Sequence, residues 1–192
     1  MFNDIAKSTD TVASALAAST QATQSASAGG VFTVQCFDKD GNLKWEESSP
    51  NLVVNQGLQD MNTQYFKGSA YTAAFYLGLI TGPGASNTYA AGDTLASHAG
   101  WTEFTNYAGT RKVATFGTAT TADPSVISNS ASTAAFSISG AGGTVAGAFL
   151  TTVTSGTSGI LFSESNFQAP GDRAVVNGDT LNVTYTFNLD AV

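Results

Sequence analysis

Reactive side chains are scarce in this chain. Its 192 residues include one histidine, His98, one cysteine, Cys36, and only seven Lys and Arg. A single cysteine cannot close an intramolecular disulfide, so no oxidising compartment is implied. Lying in the apolar run Val31–Phe37, Cys36 reads as a buried small hydrophobe rather than a reactive thiol. Seven basic residues, with Arg111-Lys112 the only adjacent pair, leave no cluster to neutralise phosphates. The net charge of −7 argues further against nucleic acid, and the same shortage removes a basic anchor for anionic lipid. No apolar run approaches the ~20 residues of a membrane span, and the N-terminus lacks the basic and apolar regions of a secretion signal. Neither nucleic acid nor membrane is expected as a partner.

Catalytic and metal-binding patterns are equally thin. His98 has Asp93 and Glu103 near it in sequence, but no G-x-S-x-G elbow supplies a nucleophile. His98 is instead expected to make a structural hydrogen bond within its loop. A closed zinc site needs about four suitable ligands, and no spacing provides them. Asp38, Asp40 and Asn42 begin like a calcium loop, but Leu43 and Ser49 stand where its glycine and glutamate belong. The reading is therefore non-enzymatic, with no cofactor, no metal and no catalytic residue.

What the chain does have is Gly, Ala, Ser and Thr, threaded with β-branched and aromatic residues, and 42% hydrophobic residues overall. That content can fill one β-rich core. Two regions are expected: an arm of Ala, Ser, Thr and Gln over residues 1–30, and a β-sandwich domain over 31–192. In the arm, Phe2, Ile5, Val12 and Leu16 fall near the spacing of one helix face. An isolated helix this thinly apolar is marginal in water, so a partner or a sister copy is needed to order it.

From Val31 onward, short strands alternate with turns. Asp38-Lys39-Asp40-Gly41-Asn42 between two apolar runs is a hairpin signal. Residues 56–66 read as the one helix, with Asn55 as its cap and with Leu58, Met61, Tyr65 and Phe66 as a core-facing stripe. Residues 81–100 form a long loop, expected either to serve an interface or to fold against its own domain. In the last strand, Leu181, Val183, Tyr185, Phe187 and Leu189 alternate with small polar residues. The expected fold is all-β: an antiparallel β-sandwich or jelly-roll-like domain with one short helix and an N-terminal extended or helical arm.

Several blocks occur in order along this domain. They are Phe32-Thr33-Val34-Gln35-Cys36-Phe37-Asp38-Lys39-Asp40-Gly41-Asn42-Leu43-Lys44-Trp45, Asn51-Leu52-Val53-Val54-Asn55-Gln56-Gly57-Leu58 and Phe75-Tyr76-Leu77-Gly78-Leu79-Ile80. Gly92-Asp93-Thr94 then leads to Ser97-His98-Ala99-Gly100-Trp101-Thr102-Glu103. Ser128-Asn129-Ser130-Ala131 precedes Phe136-Ser137-Ile138, and Gly147-Ala148-Phe149-Leu150 and Gly178-Asp179-Thr180-Leu181 complete the set. As an ordered set over residues 31–189, they resemble small structural proteins of tailed-bacteriophage particles, of the head decoration, cement or tail-associated kind.

The resemblance leaves head or tail open; the Gly/Ala/Ser/Thr-rich strands, small size and low charge favour a capsid decoration protein, made in the host cytoplasm and placed on the outer surface of the virion. Its partners would be the major capsid protein and further copies of itself, as a homotrimer or a dimer. Phe2, Ile5, Val12 and Leu16 are then expected to anchor the arm, and Tyr89, Trp101 and Tyr107 to offer aromatic faces to a partner. The alternative is a tail or fibre component in which such aromatic faces meet a host glycan.

Overall fold

The computed structural model describes residues 25–68, 74–168 and 171–191. The expected arm anchors Phe2, Ile5, Val12 and Leu16 lie outside them. The structure is a sandwich of two antiparallel sheets with one short helix.

The first sheet is built on two long strands, β1 (Ala26–Phe37) and β12 (Thr180–Ala191), paired over their whole length from Ala26↔Ala191 to Phe37↔Thr180. β1 therefore starts five residues before the expected domain boundary, and Gly29-Gly30 are strand residues. Gly30 is required by packing, because a Cβ there would overlap the Thr186 carbonyl oxygen. β2 (Leu43–Pro50) returns beside β1 through the expected hairpin. In that turn Asp38 Oδ1 accepts the backbone N–H groups of Asp40 and Asn42, both at 2.9 Å, and Gly41 takes φ +85°.

The far edge of β12 is shared end to end by β7 (Ser125–Ser128) and β8 (Ala134–Ser137). Asn129 bridges the gap between them. Its side chain accepts from Tyr185 N at 2.6 Å and donates to Val183 O at 3.1 Å. A fully buried amide thus completes the ladder where no strand residue can.

The second sheet runs β3 (Leu52–Val53), β10 (Leu161–Asn166), β9 (Gly143–Thr151), β4 (Tyr76–Thr81) and β5 (Glu103–Phe104). β6 (Lys112–Val113) extends the β5 position along β4, and β11 (Arg173–Val175) extends the β10 position along β9. Between the sheets, Phe32, Val34, Leu181, Val183 and Tyr185 meet Leu77, Leu79, Val145, Leu150 and Phe162.

The second sheet is covered on its outer face as well. There Val54, Ile80, Leu95, Trp101, Phe149 and Leu161 form a separate core beneath the segment that follows β4. This makes β9 buried from Val145 to Thr151 without alternation, as a strand covered on both faces requires. Of the two roles expected for the long loop, the structure gives folding against its own domain.

The helix α1 (Asn55–Asn62) continues through a wider π turn at residues 63–67 and stops at Gly68, φ +64°. Its cap is Val54 rather than Asn55, and no side chain caps it. The orientation also corrects the sequence reading. The face turned inward carries Gly57 and Asp60, whereas Tyr65 and Phe66 are 83% and 79% exposed. Gly57 is what lets the helix approach β10, since a Cβ there would overlap the Phe162 carbonyl oxygen. Close backbone approach won over burial of the aromatic stripe.

Candidate functional site

A β-bulge between Leu161 and Ser163 shifts the alternation of β10. Phe162 points into the inter-sheet core and Ser163 reaches Tyr185, while Glu164 joins the outer core instead. Glu164 is fully buried. Its Oε2 accepts the indole N–H of Trp101 at 2.7 Å, and its Oε1 has no hydrogen-bond partner. Burial pushes this carboxyl up to about 8, the Trp101 bond opposes the rise, and the neighbouring Asp93 carboxylate reinforces it.

His98 lies flat on Trp101, ring centroids 3.8 Å apart, with Nδ1 at 3.2 Å from the Trp101 carbonyl oxygen. This is the loop-internal hydrogen bond the sequence suggests. The geometry fixes the turn that buries Trp101. Asp93 accepts from Ala90 N at 3.1 Å within its own turn and also neighbours the Glu164 carboxyl. Asp179, in the second Gly-Asp-Thr-Leu tetrapeptide, makes the same bond to the N–H three residues back, Val176 N, at 2.9 Å. The two tetrapeptides share a local turn, not a structural repeat.

Other ionisable groups serve the scaffold similarly. Arg111 grips Glu103 with two hydrogen bonds of 2.9 and 2.7 Å, bonds the Val153 carbonyl and lies 5.1 Å from the Phe149 ring centre. Lys44 reaches the buried Asp179 at 2.5 Å, and Arg173 pairs with Glu47. The Cys36 thiol, buried between sheets, is pushed up to about 11 by burial and then by nearby Asp179.

The aromatic residues expected to face a partner are corrected by their surroundings. Trp101 is 4% exposed, held by Glu164 and packed on Phe149 at 5.0 Å. Tyr107 is 7% exposed and meets Phe136 edge-on at 4.8 Å. Half-buried Tyr89 sets its hydroxyl 3.2 Å from Asn166 Oδ1. Each ring is wall material for the outer or inner core, because the loop carrying it folds back on the sheet. These three are not gathered into one presenting face.

A different aromatic pair is presented. Tyr65 and Phe66, in mutual edge contact at 4.9 Å, stand at the end of α1 beside Leu189 of β12 and Ala26 of β1. With Met61 they border an open apolar groove of about 830 Å³. An amphipathic helix normally turns its aromatic residues inward, so reading the stripe as core hid this surface. The signal that could have found it was Gly57, which marks the close-packed face.

Among the described residues no helix is long and apolar enough to cross a membrane, and no three His, Cys, Asp or Glu side chains converge to hold a metal. Compared with family models, curated proteins and solved structures, the chain matches none.

Proposed function

We propose that this chain is a structural protein of a tailed-bacteriophage particle, a capsid decoration protein that binds the outer surface of the head. In this role it works by adhesion, holding neighbouring major capsid subunits together, and transforms no substrate. The observation that carries the reading is how the ionisable groups are used. Glu164, His98, Arg111 with Glu103, and Asp179 with Lys44 are each tied into the scaffold, so the chemistry goes into rigidity. The ordered blocks over residues 31–189 supply the family expectation. A stable contact would bury roughly 1,200–2,000 Å².

Quantitative mass spectrometry of purified particles tests the proposal. A copy number comparable to that of the major capsid protein is expected. A handful of copies would move the protein to the tail, and its absence from particles would overturn the reading. A second test adds protein lacking residues 1–24 to undecorated shells, where loss of binding is expected. The deletion stops at 24 because Ala26, Ser27 and Ala28 already pair with β12.

A further inference from the structure

We propose that the groove bordered by Ala26, Met61, Tyr65, Phe66 and Leu189 is the seat of the chain's own N-terminal segment, residues 1–24. The inference does not need the particle reading, and its failure would leave that reading intact.

Three observations lead to it. The groove is mostly apolar: Asn62 and Gln64 add polar side chains to its wall, and no charged residue of the described chain lines it. Tyr65 and Phe66 are more than three-quarters exposed, although a helix with a buried face was available to hide them. Large aromatic rings left out in this way mark a contact surface. The third observation is position: Ala26, a wall of the groove, stands two residues after Gln24, the last of the N-terminal segment.

The segment carries the complementary pattern. In sequence, Phe2, Ile5, Val12 and Leu16 recur near the spacing of one helix face. Residues 17–25, Ala-Ala-Ser-Thr-Gln-Ala-Thr-Gln-Ser, separate these anchors from β1. Extended, such a linker spans up to roughly 30 Å, enough for the chain to double back over the groove from which it departs. A tether this short raises the local concentration of the segment to about millimolar. The same-chain seat therefore prevails over an arm from another copy in dilute solution. Apolar anchors on one side and exposed aromatic rings on the other would each be removed from water.

Hydrogen exchange on the full chain at low micromolar concentration tests this. Amides of residues 2–16 should exchange about tenfold or more slowly than in an isolated peptide of the same sequence. The exposed pair can be changed without disturbing the core, so Tyr65→Ser with Phe66→Ser should abolish that protection and leave β1 and β12 amides unchanged. From the other side, Val12→Ser with Leu16→Ser should raise binding of an apolar fluorescent dye to the level seen after deleting residues 1–24. No protection in the natural sequence, protection surviving the Tyr65/Phe66 changes, or dye binding already at the truncated level would each overturn the proposal. Protection that disappears on dilution would overturn it too, by assigning the groove to a second copy.

Discussion

Trp101 and Glu164 are joined by an indole N–H to carboxylate hydrogen bond of 2.7 Å that pins the segment after β4 onto the middle of β10. Neither residue is available to solvent. The bond belongs to the outer core, and its strength depends on the charge that Glu164 carries. A neutral carboxyl is the form burial favours, with Asp93 adding to that preference.

This makes the outer core sensitive to pH in a defined direction. Folded Glu164 holds its proton to about pH 8, while the unfolded chain releases it near about 4.3. Stability from this group is complete below the unfolded value and is lost as pH rises through the folded one. Glu164→Gln keeps an oxygen acceptor for Trp101 and cannot ionise. The variant should gain stability over the natural protein as pH rises toward 8 and then hold a constant advantage. Thermal unfolding followed by near-ultraviolet circular dichroism measures this, and parallel pH profiles for the two proteins would sink the prediction.

Gly57→Ala sets two physical effects against each other. Helix propensity alone predicts stabilisation of roughly 1 kcal/mol. Contact with the Phe162 carbonyl predicts a loss of about 1–3 kcal/mol, since backbone must shift to admit the methyl. The close approach should win. Gly92→Ala, where a Cβ meets nothing within 4 Å, serves as the control and should be nearly neutral. Urea unfolding of both variants decides the sign.

Arg111→Lys should be far from conservative. The guanidinium is 5% exposed, makes a bidentate pair with Glu103 and lies over Phe149. An ammonium cannot reproduce the fork. Arg111→Ala, which leaves the Glu103 carboxylate unpaired, should cost about 3 kcal/mol, at the low end for buried pairs because Glu103 is 23% exposed. Lysine should recover only part of that loss. Full recovery by lysine in denaturant unfolding would show that charge alone, without the fork, is sufficient.

Much of the sandwich could be read from residues. Alternation from Leu181 to Tyr185 shows directly which side of β12 is buried, though Leu189 at its end is exposed, and Asp-Gly in the first hairpin names its turn, because both signals are local. β7 was missed for the opposite reason. Ser125–Ser128 is a short run with only Val126 and Ile127 apolar, and it becomes a strand through its pairing with β12 and the Asn129 bridge. The aromatic faces of Trp101 and Tyr107 were misplaced because exposure is not a local property. Whether a loop aromatic faces outward depends on where the loop folds, and this one folds onto the sheet.

By itself, the sequence determined the β-rich class, the first hairpin and the scarcity of His, Cys, Lys and Arg, since each follows from side-chain type and spacing along the chain. Only the tertiary structure decided that a bulge in β10 sends Glu164 outward and that the second sheet is covered on both faces. It also decided that α1 presents Tyr65 and Phe66 to solvent. All three depend on distant backbone competing for the same space, as when the Phe162 carbonyl admits Gly57 and turns the aromatic face away. Spacing along a chain gives each face its character, and packing chooses which face is hidden.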